Sequence, residues 1–292
     1  MKKNFSWRDF LDRRLNTLAV LSLAAAVVGQ LGAWNWFAEL FSHFMPHYAA
    51  VFLLAALLCK GRQRWLWAIC TAVTVCWLAQ PFDIERPSET RQRLVWYNVN
   101  LDNPQPQAET AALLAEDADI LALAEIDLAD EGWAQLRRRY PYGCGHRSDS
   151  PFAMALWSRQ PLSACEVRFS NAYPYIRAEA GNTALYALHP PPPVSSEFAR
   201  HRAAYLHDTA LAVAAENKAL VVGDLNSSPF SPLFRRFANE AGAAAQTRFH
   251  MPTWKPFFLN IDHVFAKNLS VRTQALPWMY SDHRALSVQW RE

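Results

Sequence analysis

Ala219-Leu220-Val221-Val222-Gly223-Asp224-Leu225-Asn226 is an apolar run that breaks into a turn bearing a carboxylate and an amide. Such a run reads as a buried strand that delivers its polar groups to the rim of a sheet. Three more stretches end in the same way. Leu94-Val95-Trp96-Tyr97 leads into Asn98-Val99-Asn100, Ile120-Leu121-Ala122-Leu123-Ala124 into Glu125, and Pro277-Trp278-Met279-Tyr280 into Ser281-Asp282-His283. Strands that finish on Asp, Asn, Glu and His bring metal-ligating and proton-transferring groups to one edge of a fold.

Outward from these runs, strands and helices are interspersed. Strands are expected at Leu94–Val99, Ile120–Ala124, Phe152–Trp157, Ser163–Phe169, Tyr175–Ala180, Thr183–Leu188, Ala219–Val222, Asn260–Ala266, Leu269–Thr273 and Leu286–Trp290. Helices are expected at Gln107–Glu116, Gly132–Tyr140, Glu197–Ala215 and Leu233–Ala241. Pro141 stops the second helix, and the prolines after His189 make a stiff loop that cannot join a ladder. Connections of mostly hairpin length argue for an α+β domain and against a doubly wound parallel sheet.

Composition changes near residue 82. Residues 1–82 carry a net charge of +5 and the remainder −2, which together give the overall +3. The positive balance therefore belongs to the N-terminal end and does not describe a basic face for nucleic acid. Leu15–Ala38, Leu40–Cys59 and Trp65–Phe82 are uncharged and suit three transmembrane helices, with Trp34, Trp36, Tyr48, Trp65, Trp67 and Trp77 near their ends. Basic residues precede the first stretch and separate the second from the third, while the loop from Trp34 to Tyr48 has none. The positive-inside rule then puts the N-terminus in the cytoplasm and the C-terminal part outside it. The expected organisation is a membrane anchor over residues 1–82, a polar linker over 83–92 and a catalytic domain over 93–292. Ten extended linker residues reach at most ~35 Å, which would keep that domain near the bilayer. Cys144 and Cys165 are the two cysteines of this C-terminal part, and an oxidising compartment would allow them to pair.

The ordered series Asn98, Glu125, His189, Asp224 with Asn226, Asp262, then Asp282 with His283, resembles the endonuclease/exonuclease/phosphatase superfamily, which includes DNase I-like nucleases, AP endonucleases, sphingomyelinases and inositol phosphatases. The resemblance runs from Arg93 to Glu292, and Thr253-Trp254 matches a loop that recurs in the superfamily. It implies a four-layer sandwich, two mixed sheets flanked by helices, with the active site at one end.

By position, Glu125 resembles the ligand of a divalent cation, Mg²⁺ or Mn²⁺. Asn98 and Asn100 resemble residues that orient that carboxylate or complete the metal shell. Asp224 resembles the residue that positions or deprotonates water, and Asn226 the amide that holds a phosphate oxygen. His283 resembles the histidine that contacts the scissile phosphate, oriented by Asp262. His189 resembles a second histidine that protonates the leaving oxygen, and Asp282 an additional metal or structural carboxylate. His146, His201, His207, His250 and His263 read as surface or packing residues; Arg202, on the helix after His189, could reach a phosphate, with solvation the preferred reading. Leu188-His189-Pro190 stands where AP endonucleases carry a Tyr-containing loop, and Leu101 where a Gly is usual, so abasic-site repair is not expected.

The expected activity is metal-dependent hydrolysis of a phosphoester, on a lipid-linked or small phosphate, by an enzyme of the bacterial membrane-bound branch facing the periplasm or exterior. An extracytoplasmic nuclease is one alternative and would need arginines such as Arg137–Arg139 or Arg235-Arg236 to line the cleft. A catalytically inert scaffold is the other. Oligomeric state has no signature in the sequence.

Overall fold

Two kinds of apolar patterning divide the chain, and the computed structural model describes residues 6–79, 92–247 and 251–291. The expected linker lies almost wholly outside the described residues, as does His250. Contacts separate residues 1–83, with Phe230–Pro232, from a larger unit made of the rest.

Among the described residues the N-terminal unit contains four α-helices: α1 (Trp7–Gln30), α2 (Trp36–Ser42), α3 (Met45–Leu58) and α4 (Gln63–Leu78). Asn35 caps α2 by accepting from the amides of Phe37 and Ala38. Trp67 stacks on Phe52 and donates to Asn16, tying α4 to α3 and α1. Outward-facing positions are apolar: Leu18, Leu21 and Val27 on α1, Leu54, Leu57 and Leu58 on α3, and Ile69 and Val73 on α4 are all exposed.

Among the described residues one segment, α1 continued to Ala33, is long and apolar enough to cross a membrane, with a mean hydropathy of 1.6. Helices α2 and α3 meet the same criterion only as a pair, bent by 53° at their junction. The stretch expected as a third span forms α4, whose 16 residues reach about 24 Å, short of a hydrocarbon core of about 30 Å.

Among the described residues the larger unit contains two six-stranded sheets. Its strands are β1 (Gln92–Asn98), β2 (Ile120–Ala124), β3 (Tyr142–His146), β4 (Met154–Ser158), β5 (Ala164–Ser170), β6 (Tyr173–Ala180), β7 (Thr183–Leu188), β8 (Ala219–Asp224), β9 (Ala244–Ala245), β10 (Asp262–Lys267), β11 (Ser270–Ala275) and β12 (Leu286–Arg291). Its helices are α5 (Pro106–Ala115), α6 (Ala134–Arg139), α7 (Ser196–Ala214) and α8 (Pro232–Ala241). The first sheet runs β11-β12-β1-β2-β4-β3 and the second β5-β6-β7-β8-β10-β9. Each has one parallel pair, β1/β2 or β7/β8, inside otherwise antiparallel neighbours. A helix crosses over each pair, α5 after β1 and α7 after β7, as a parallel connection requires. This is the expected α+β sandwich with two mixed sheets.

Alternation along the strands builds three apolar layers. Leu94, Trp96, Ile120 and Ala122 meet Ile176, Leu185, Leu220 and Val222 between the sheets. On the outer faces, Tyr97 and Leu121 pack with Leu113 and Leu136 of α5 and α6, while Val221 and Phe265 pack with Tyr205, Phe234 and Phe237 of α7 and α8. Burying each such Leu, Val or Phe contributes about 1.5–3 kcal/mol, so an Asp at Val222 would disrupt the central layer.

Two strands escape the sequence reading. β9 has two residues, and β3 is an edge strand reading Tyr142-Gly143-Cys144-Gly145-His146 without apolar alternation. Gly143 has φ +125°, and a Cβ there would fall 2.0 Å from the Leu156 carbonyl oxygen, so β3 can lie against β4 only with glycine at that place. Cys144 on β3 and Cys165 on β5 form a disulfide that staples the edges of the two sheets together. The apolar run Pro277–Tyr280, by contrast, is no strand: it lies in the loop between β11 and β12. Pro277 has no N–H for a ladder, and the Tyr280 amide is taken by a side chain, Glu109.

Candidate active site

The parallel pairs of both sheets end on polar side chains at a shared rim. Period-two alternation sets their direction. Leu94 and Trp96 face the opposite sheet, so Asn98 does too; Leu220 and Val222 are continued by Asp224, and Ala266 and Val264 by Asp262. Glu125 follows the last residue of β2, and His189 the last of β7. Gly223 permits the close approach of β8 to β7, since a Cβ there would sit 2.4 Å from the Leu188 carbonyl oxygen.

Asn98 is the hub. Its Nδ2 donates to Glu125 Oε1 at 2.8 Å and to Asp224 Oδ2 at 3.3 Å, while its Oδ1 accepts from the Asn100 amide at 3.1 Å. His189 Nε2 lies 3.5 Å from Glu125 Oε1 and 4.0 Å from Asp224 Oδ2. His283 Nδ1 donates to Asp262 Oδ2 at 2.8 Å, and its Nε2 faces Asp224 Oδ2 at 3.7 Å. Trp96 Nε1 donates to the other Asp262 oxygen at 2.8 Å. Six residues read from the sequence, Asn98, Glu125, His189, Asp224, Asp262 and His283, thus form one connected cluster.

Asn100 and Asp282 stand at its margin, joined by a 3.0 Å hydrogen bond. The second Asp282 oxygen accepts from Trp254 Nε1 at 2.9 Å. Thr253, in the same loop, accepts from the Asp262 amide at the start of β10. Asn226 places its amide N–H on Asp224 Oδ1 at 2.8 Å and its Nδ2 on the Pro190 carbonyl at 3.1 Å, which ties the proline loop to β8.

Burial, and after it the neighbouring Asp262, pushes the Asp224 carboxyl up to about 7. Burial opposes charge on His283, but Asp262 and Asp224 outweigh it and push this imidazole up to about 10. His189 is pushed down by burial, against the attraction of Glu125. At neutral pH the rim therefore offers one cationic and one neutral histidine beside a carboxylate poised to exchange a proton.

Asn100, Glu125 and Asn226 all adopt left-handed backbone, with φ of 63°, 55° and 49°. For a residue with a Cβ this costs about 1–2 kcal/mol. Among the described residues seven non-glycine positions have positive φ, and these three stand where strands turn out of their ladders at the rim.

Four residues of the site were misread or given no role in the sequence. Trp96 looked like one more core aromatic, yet its indole fixes Asp262. Arg202, expected in solvent, is fully buried and donates to the Asn226 carbonyl and to Ser227 Oγ. Glu109 is also fully buried and accepts from the Tyr97 hydroxyl, whose proton burial and Glu109 hold in place. Ser281 Oγ donates to the Asn98 carbonyl and accepts from the His283 amide. Only Ser281 had a local signal, as a small hydroxyl two residues before a candidate histidine.

The donors present fit a hard divalent cation. Glu125 is a carboxylate on the open side of the cluster, with 21% of its side chain exposed, and it adds to the negative charge that raises Asp224. Among the described residues, Asp224, Asp262 and His283 also bring ligand atoms within 4.8 Å of one another. Both oxygens of Asp262 and Nδ1 of His283 are already committed to hydrogen bonds, however, which makes this trio a proton and charge network more than a cation cage.

The model of the Endonuclease/Exonuclease/phosphatase family matches residues 95–283, from β1 through His283. The chain belongs to this family. Its members hydrolyse phosphoester bonds, so this chain is a phosphoester hydrolase of the family, whose members generally depend on a divalent metal. Similar solved structures include an endonuclease/exonuclease/phosphatase from Beutenbergia cavernae, with TM-score 0.58 and 18% identity over 70% of this chain and 72% of that one. The catalytic domain of human Nocturnin gives 0.54 and 19% over 69% and 94%. Sphingomyelinase C from Streptomyces griseocarneus gives 0.52 and 15% over 69% and 99%. At such identities the likeness is one of fold. No curated protein matches the sequence.

Proposed function

We propose that this family member is a membrane-anchored phosphoesterase, dependent on Mg²⁺ or Mn²⁺, that faces the periplasm or cell exterior and acts on an amphiphilic, lipid-linked phosphate. The observation that carries the chemistry is the meeting of Asp224, His283 and Glu125 around Asn98.

Glu125, held by Asn98, would be the principal protein ligand of the cation, and Asn100 and Asp282 brace that side of the site. When bound, such an ion would supply neutralisation of the phosphate charge. Asp224 accepts the proton of the attacking water. Cationic His283, oriented by Asp262, donates from Nε2 to a non-bridging phosphate oxygen, where negative charge grows in the transition state. The second Asn226 N–H serves the same oxygens. Burial keeps His189 neutral, which suits it to donate a hydrogen bond to the leaving oxygen more than to supply its proton.

Anchoring is supported by the span of α1 and by the apolar side chains exposed on α1, α3 and α4, which water would not favour. The extracytoplasmic side is supported by the basic N-terminal flank and by the Cys144–Cys165 disulfide. An amphiphilic substrate is supported by Phe257, Phe258 and Tyr280, which are exposed on loops next to Trp254, the residue whose backbone pairs with His283. Three of the arginines that a nuclease would need are engaged elsewhere: Arg137 donates to the Leu128 and Asp130 carbonyls, Arg139 pairs with Asp117, and Arg236 pairs with Glu240.

The full-length chain in detergent should release phosphate from a prenyl pyrophosphate in Mg²⁺ and stop in EDTA, with plasmid DNA, RNA and bis(4-nitrophenyl) phosphate run in parallel. Plasmid nicking without lipid-phosphate hydrolysis would replace the proposed substrate with nucleic acid. A C-terminal alkaline phosphatase fusion should be active; an inactive one would move the domain to the cytoplasm.

A further inference from the structure

Glu109 sits on α5, outside the rim, and has no solvent exposure. Its Oε1 accepts four hydrogen bonds: from Tyr97 Oη at 2.8 Å, from Asn103 Nδ2 at 3.2 Å, and from the consecutive amides of Tyr280 and Ser281, both at 2.9 Å. Its Oε2 is buried and has no hydrogen-bond partner among the described residues. Burying a carboxylate is costly unless its hydrogen bonds accomplish something a neutral side chain could not.

The two amides belong to the loop that carries His283. Ser281 next donates its hydroxyl to the Asn98 carbonyl at 2.8 Å and accepts the His283 amide at 3.0 Å. The path from Glu109 thus crosses one turn and reaches both the hub asparagine and the histidine. Asp262 fixes the His283 ring at Nδ1, and an isolated bridge to Trp254 with the Lys255 amide on the Asp282 carbonyl holds the backbone at 282–283, but residues 276–285 lie between β11 and β12 and the preceding Tyr280–Ser281 turn belongs to no strand. Glu109 supplies the hold on that turn.

We propose that Glu109 is a positioning residue, which holds the Tyr280–Ser281 turn so that His283 Nε2 points at the substrate phosphate. The inference rests on the reading of His283 given above, and its test separates the two.

Glu109→Ala and Glu109→Gln would be compared with the unaltered chain, full length in detergent micelles. The ring nitrogens of ¹⁵N-labelled His283, assigned by loss in His283→Gln, and the Tyr280 and Ser281 amide signals report geometry. Hydrolysis of bis(4-nitrophenyl) phosphate in Mg²⁺ reports rate. Glu109→Ala should shift the His283 ring signals, move both amide signals upfield and lower kcat by about 100-fold, the scale of a 1 Å misplacement, with KM nearly unchanged. Glu109→Gln keeps an acceptor oxygen in place and should recover kcat to within about tenfold. A lower Tm in Glu109→Ala with His283 signals and kcat unchanged would overturn the proposal and leave Glu109 a purely structural group. If Glu109→Ala does not fold, displaced His283 signals in Glu109→Gln with slower turnover support it, and unaltered signals refute it. Activity that survives in His283→Gln would instead sink the functional reading, and the ring and amide signals would still decide the role of Glu109.

Discussion

The two sheets end at one rim but contribute different things to it. The first brings Glu125, Asn98 and Asn100, with Glu125 and Asn100 partly open to solvent and braced by side-chain amides. The second brings Asp224, Asp262 and His189, all buried, with Asp224 and His189 shifted in opposite protonic directions. His283 belongs by chain position to the first sheet and by hydrogen bonding to the second. The difference separates an accessible half, which on the proposed reading would face the cation, from a desolvated half that would handle the proton, with His283 as the join. A low-dielectric wall makes charges near Asp262 strong, while a wet wall lets an ion and substrate enter.

The largest test of that division is Asp262→Asn. It keeps the shape but removes the charge that holds His283 cationic, and kcat should fall by about 1,000-fold or more; a loss under about tenfold would mean the buried half does not control the histidine. Cutting the staple between the sheets is next. Cys144→Ser with Cys165→Ser should lower unfolding free energy by about 3 kcal/mol in a denaturant titration, and a reductant should do the same to the unaltered chain alone.

Glu125→Gln should raise the Mg²⁺ concentration for half-maximal activity by about 100-fold and regain much of its rate at high Mg²⁺. Asp224→Asn should not be rescued in this way. Equal rescue of both variants would erase the distinction between the halves.

The smallest effect concerns His263, which is fully buried on β10, bonded to Thr247 and the Ser227 carbonyl, and pushed down to about 4 by burial. Its folded value lies below the unfolded one, so the unfolded chain binds the proton first. Stability present above pH 6.5 should be lost as the pH falls toward 4, by about 2 kcal/mol at pH 5. His263→Gln should flatten that part of the stability profile, and an unchanged slope would show that other groups produce it.

Much of this rim is legible in the chain because local rules write it. An apolar run of period two that ends in Asn98 or Asp224 states both the strand and the direction of its last side chain. What escapes depends on residues far apart. Glu109 is an ordinary first-turn acid of a helix until Tyr280 and Ser281, 171 and 172 residues away, fold onto it. Arg202 reads as solvated because an arginine on an amphipathic helix usually is; only its burial beneath the Asn226 turn reverses that. Pro277–Tyr280 misleads for a related reason. Its apolar side chains mimic a strand, while its backbone groups are claimed by a side chain from another element. The N-terminal helices are legible as apolar stretches, but the break between α2 and α3 is set by a turn that composition does not encode.

The left-handed turns at Asn100, Glu125 and Asn226 have a further consequence. Glycine at any of them would relax the chain and make the molecule harder to melt, yet would erase the group the turn exists to display. An engineer seeking heat resistance should therefore leave these three corners alone and work on the far faces of the sandwich, since the easiest stabilising changes here coincide with the places where durability and turnover compete.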